Sequence, residues 1–250
     1  MSSEMNKLKY PERWHSRYFA WRDLWLVPLY FIIVQIVLFS IIFGLMALVT
    51  DGTTNLDDTE TFLIILSFNN KIITLLIFYL MHVHHDIVRI AIERFKQVKK
   101  HLLFIITTFV VVEILSSLYE WLLNFLPKSL QFDESANDKE VLKMFDVDWL
   151  IPVSLIAVVI LGPLIEELIF RHLIIHELGK KITYPIAAIL SIILFTAVHV
   201  VGMNLPFEIG GYLISAIVIV YMRSGRNLAA SFILHALNNG YAVVLALITI

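Results

Sequence analysis

An apolar run that begins at Leu150 carries two adjacent glutamates, Glu166 and Glu167, and then Arg171. No other part of the chain sets two acids side by side in so long an apolar run. Hydrocarbon penalises an ionised carboxylate, so acids in such a run face a bundle interior or a wet cavity, pair with another charge, or do chemistry. The run therefore requires neighbouring helices to surround it.

Composition agrees with that demand. Of 250 residues, 59% are hydrophobic and 16% charged, against about 25% charged in an ordinary soluble domain. The expected fold class is all-α, a polytopic helical membrane protein whose constant partner is the lipid bilayer. At about 20 residues per span, the length allows six to eight spans. A net charge of −2 and the lack of a basic aromatic surface give no sign of a nucleic-acid partner. There is no cysteine, which excludes disulfides, thiolate nucleophiles and cysteine-ligated metals. Any metal would have to be held by His and carboxylate.

Hydropathy and charge then order the chain. Residues 1–23 form a polar arm with Lys7, Lys9, Arg13, Arg17 and Arg22, which places the N-terminus in the cytoplasm by the positive-inside rule. Residues 24–149 are the N-terminal membrane helices and 150–250 a second group, within one integral membrane domain. Span 1 covers 24–50, and an acidic outer loop covers 51–60. Span 2 covers about 61–83, its outer third expected to be unwound or capped at Asn69, Asn70 and Lys71. An amphipathic helix follows on the inner face, with Arg89, Arg94, Lys96, Lys99 and Lys100 beside Ile87, Ile90, Ala91 and Phe95. Span 3 covers 102–126, with Glu113 near its middle, and an acidic outer loop covers 127–148. Spans 4 to 7 start at 149 or 150, 184, 209 and 228. Seven spans with alternating basic and acidic flanks put the C-terminus outside.

The helix of span 4 is expected to continue to a C-cap at Gly179, because residues 170–178 lack Gly and Pro. At 1.5 Å per residue, Glu166 then stands roughly 20 Å above the inner end and His199 roughly 22 to 24 Å above the start of span 5. His235 and Asn239 on span 7 lie within tilt of the same layer. Glu167 and Arg171, four residues apart, share a helical face and can pair. Glu166 points about 100° away and is the candidate general base facing the histidines. His235 and Asn239 project together and can donate to one developing oxyanion.

These residues resemble the CAAX-protease and bacteriocin-processing membrane proteins, also called the Abi family. Its three motifs are present as Glu166-Glu167 with Arg171, Phe195 with His199, and His235 with Asn239. The resemblance covers roughly 150–250. It implies an intramembrane endopeptidase acting on a membrane-embedded or membrane-associated peptide or protein, in a bacterial cell membrane. By that likeness Glu166 and His199 activate water, His235 and Asn239 stabilise the oxyanion, and Glu167, Arg171 and Phe195 support the site. The glutamate scheme needs no cofactor. Zinc held by Glu166, His199 and His235 is the open alternative, although the His-Glu-x-x-His helix of many zinc peptidases is absent.

The competing class is a catalytically idle scaffold or bacteriocin-immunity factor acting on a regulatory membrane partner such as a sensor kinase. A proton-coupled transporter is disfavoured by small size and the lack of two symmetric halves. Structural roles are the expectation for the remaining polar residues. His82, His84, His85 and Asp86 are assigned to a helix end among headgroups, His172 and His176 to a solvated end, and Glu113 and Lys71 to a mutual ion pair.

Overall fold

A computed structural model describes residues 18–49, 56–127, 136–199 and 211–249. Residues 1–17 of the basic arm, 51–55 of the first acidic loop and 200–210 lie outside the described residues. The described chain is helical without a strand. In order it forms α1 (Trp21–Leu45), α2 (Leu56–His82), α3 (Ile87–Val98), α4 (Leu102–Leu123) and α5 (Ala136–Lys143). The second half forms α6 (Asp148–Ile182), α7 (Tyr184–His199), α8 (Gly211–Arg223) and α9 (Leu228–Thr249).

Five of these, α1, α2, α4, α6 and α9, are long and apolar enough to cross a membrane. The other two expected spans, α7 and α8, are shorter apolar helices. The described part of α7 has 16 residues, about 24 Å, and residues 200–210 next to it lie outside the described residues. Exposed Ile32, Phe39 and Leu48 on α1's helix, and Leu103, Ile114 and Leu118 on α4, have no protein to cover them. Such continuous apolar surface belongs against lipid. The molecule is a polytopic helical membrane protein.

Helix α6 is the centre of the bundle. Half of its apolar window is buried, against 11–28% for the other long spans. It packs on α7, α9 and α2, and Ile165, Leu168, Ile169 and Phe170 form one core with Phe78, Phe195 and Ile214. A second core joins α4, α8 and α9 through Ile105, Val112, Ile217, Val220 and Leu234. A third joins α1 and α2 through Val34, Leu38, Phe62 and Leu66.

Several expectations need correction. Helix α2 is continuous through Asn69, Asn70 and Lys71, because each polar side chain finds a partner without breaking the backbone ladder. Asn69 donates to Ile65 O at 2.8 Å, Asn70 to Tyr30 O at 3.1 Å and Gln35 Oε1 at 2.7 Å, and Lys71 to Ser67 Oγ at 2.6 Å. Glu113 and Lys71 do not pair: α4 packs on α8 and α9, whereas α2 packs on α1 and α6. Within the expected 127–148 loop, residues Ala136–Lys143 are helical. The span 4 helix does not stop at Gly179 but runs on to Ile182, and the chain turns at Thr183 with φ 107°. Gly179 serves close packing instead, since a Cβ there would lie 2.6 Å from the Tyr184 ring.

His82, His172 and His176 are not solvated. All three are buried, and the carboxylate of Asp23 sits 3.1 Å from His82 Nε2 and 2.9 Å from His172 Nε2. Asp23 is itself buried at the start of α1. It therefore ties the first helix to α2 and α6. Asp86 pairs with Arg89 at 3.1 Å, and His84 is exposed.

Candidate active site

Helix α6 departs from regular α geometry at two places. Residues Ile156–Leu161 and Glu167–Leu178 form π-type turns, and the α-helical segment Gly162–Glu166 lies between them. Wide turns of this kind often mark functional sites. The first has a local cause and consequence. In an i→i+5 pattern the carbonyl of Val158 would look to residue 163, which is Pro163 and has no N–H. Asn239 supplies the missing donor, its Nδ2 donating to Val158 O at 3.1 Å. Asn239 thus clamps α9 to α6, and that bond leaves its second N–H available.

The adjacent glutamates separate as their spacing predicts. Glu167 is fully buried, and its Oε1 accepts the Arg171 Nε ion pair at 3.4 Å. Arg171 is also fully buried, and its guanidinium lies 4.9 Å from the Phe195 ring centroid. Glu166 keeps 23% of its side-chain surface exposed. Its Oε2 lies 3.4 Å from His235 Nε2 and 3.9 Å from His199 Nε2. The level match between α6 and α7 is real in three dimensions.

One contact went unread in the sequence. His235 lies between the two glutamates, with Nδ1 3.1 Å from Glu167 Oε1 while Nε2 faces Glu166. A buried carboxylate on one ring nitrogen fixes which way the other points. His199 is fixed differently, since Nδ1 donates to Phe195 O at 2.8 Å. In the neutral ring that bond leaves Nε2 as the acceptor, turned towards Glu166.

Phe195 holds the set in place. Its ring stacks on His199 at 4.3 Å and 4°, lies 5.8 Å from His235, and packs on Phe170 at 4.7 Å. Being buried among these rings, it is a packing residue that also sets two imidazole planes. Span 5 is pinned to span 4 by Ser191, which donates to Phe170 O at 2.9 Å.

Three further residues reach the site, of which the sequence singled out Lys71 alone, and for a different partner. Tyr30 and Lys71, from α1 and α2, lie within electrostatic reach of Glu166. Tyr221 on α8, buried, does the same for Glu167 and Arg171. A separate cavity of about 320 Å³, lined by none of the seven motif residues, is bounded on α6 by Leu164, Leu168 and His172. Its walls on α2, α3 and α9 are mostly apolar and include Phe78, Phe95 and Phe232.

Among the described residues no group of three or more His, Asp or Glu side chains could hold a metal ion. Both ring nitrogens of His235 are directed at carboxylates.

Residues 148–241 match the family described as Type II CAAX prenyl endopeptidase Rce1-like. Over these residues the chain is similar to CAAX proteases, which supports the resemblance carried by the three motifs. A stretch of 104 residues is 31% identical to the membrane-embedded CAAX protease MroQ of Staphylococcus aureus (strain USA300), covering 39% of this chain and 41% of that protein. The chain is thus matched over about two fifths of the length of this curated relative. No solved structure matches it. The family segment holds all seven motif residues and both π-type stretches of α6, whereas Tyr30 and Lys71 lie before it.

Proposed function

We propose that the protein is an intramembrane endopeptidase that hydrolyses a peptide bond in a membrane-embedded or membrane-associated peptide or protein. The observation that carries this reading is the 3.9 Å separation of Glu166 Oε2 and His199 Nε2, both on partly exposed side chains. That distance is too long for a direct hydrogen bond and suits one water donating to both acceptors. Glu166 takes a proton as the water oxygen attacks the scissile carbonyl, then returns it to the departing amine. The donor geometry around His235 and Asn239 supports an oxyanion site. Glu167 orients the His235 ring through Nδ1, and in the imidazolium form, where both ring nitrogens donate, Nε2 donates into the space before Glu166. Asn239 stands one turn further along α9 and offers its second N–H.

The names of the matched family and relative both describe CAAX proteases, which supports peptide hydrolysis as the reaction. We place the enzyme in a bacterial cell membrane with its N-terminus in the cytoplasm.

Mass spectrometry of membrane peptides provides the test. Cells carrying Glu166→Ala should accumulate a longer precursor that wild-type cells shorten, with the variant still present in the membrane. His199→Ala and His235→Ala should give the same precursor. Full processing by all three variants would sink the protease reading and favour a scaffold. Processing by purified protein should also survive a strong chelator; activity lost on chelation and restored by Zn²⁺ would support the metal scheme.

A further inference from the structure

The family match begins at residue 148, yet one cation from outside it reaches the candidate base. Lys71 lies on α2, held by its hydrogen bond to Ser67 Oγ at 2.6 Å. Its stem crosses α6 over Gly162. A Cβ at that glycine would stand 3.8 Å from Lys71 Cε and 3.9 Å from Glu166 Oε1. The lysine stem and the carboxylate therefore meet over one bare patch of helix backbone.

The two oxygens of Glu166 face different surroundings. Oε2 is the atom nearest both histidines, whereas Oε1 lies on the Gly162 side, with Lys71. No ion pair within 4.0 Å joins Lys71 to Glu166 among the described residues, yet both side chains lie against the same Gly162 backbone. Coulombic attraction acts over several ångströms where water is scarce. A charge held on that side draws Oε1 towards α2 and turns Oε2 to the imidazoles.

We infer that Lys71 is a positioning residue of the proposed peptidase, holding the Glu166 carboxylate so that one oxygen faces His199 and His235. The role also accounts for a lysine in the middle of an apolar span, where an ionisable side chain is otherwise costly. It rests on the peptidase reading. A side chain that only orients the base contributes to the chemical step and not to substrate capture.

The test uses the full-length protein in lipid nanodiscs and a synthetic copy of the precursor that accumulates in Glu166→Ala cells. Lys71→Met should lower kcat at least tenfold with KM within twofold of wild type, and Lys71→Arg should recover most of the loss. Lys71→Gln keeps a donor for Ser67 without the charge, so it should resemble Lys71→Met and provides the reading if the methionine variant does not fold. Wild-type kcat in Lys71→Gln, or no recovery with Lys71→Arg in a protein that melts normally, overturns the inference. If wild-type protein cleaves nothing, the peptidase reading itself fails; cleavage by wild type but not by Glu166→Ala isolates the question of Lys71.

Discussion

At the residue scale, the site divides between a buried charge assembly and a more open pair. Glu167, Arg171 and His235 form the first, Glu166 and His199 the second. Removing one partner of a buried ion pair leaves the other uncompensated, at about 3–5 kcal/mol. Arg171→Met should accordingly lower the thermal midpoint of the purified protein sharply, and the double variant Glu167→Leu with Arg171→Met should lose less than the sum of its singles. Loss of the open pair should act on rate. His199→Ala should reduce kcat by about 10²–10⁴-fold while its melting curve stays near that of wild type. The pairing of Glu167 with Arg171 was legible from i,i+4 spacing alone, because both residues lie on one helix. Glu167's second contact, to His235, was not, since it joins positions 68 residues apart.

At the element scale, α6 owes its shape to interruptions that a propensity count does not weigh. Pro163 removes a donor, a π-type turn forms before it, and Asn239 fills the gap from α9. Asn239→Ala should orphan the Val158 carbonyl at about 1–3 kcal/mol. If Pro163 is the cause, Pro163→Ala should restore a backbone donor, and Asn239→Ala should cost measurably less in that background. Chemical denaturation of the four proteins in detergent would give the coupling. Gly179→Ala should destabilise by about 1–3 kcal/mol, since the new methyl meets the Tyr184 ring. That residue had the sequence signature of a C-cap, but the helix continues for another three residues. Whether a glycine ends a helix or admits a neighbouring ring depends on what packs there.

At the scale of the whole molecule, the N-terminal half does more than anchor the chain. Asp23 joins α1 to His82 on α2 and His172 on α6, while Lys71 and Tyr30 approach Glu166. Hydrogen bonds to a charged group contribute about 1.5–3 kcal/mol each. Asp23→Ala should therefore loosen the seam between the halves, visible as a lower thermal midpoint and faster protease nicking between α1 and α2. Normal stability in that variant would count against a structural role for the cluster.

Hydrophobic runs of membrane-spanning length determined from the sequence that this is a helical bilayer protein, because the bilayer leaves the backbone few other ways to satisfy its hydrogen bonds. Local spacing likewise determined that Glu167 faces Arg171 and that Glu166 points elsewhere, since helical geometry relates near neighbours directly. Rise per residue also set His199 and His235 level with Glu166, but only the tertiary structure decided the distances between them and brought Lys71 to the same residue. His199, His235 and Lys71 come from three other helices, and their convergence depends on helix tilt, wide turns and close approach at Gly162. Those follow from packing among all the spans, which no single stretch of the chain contains.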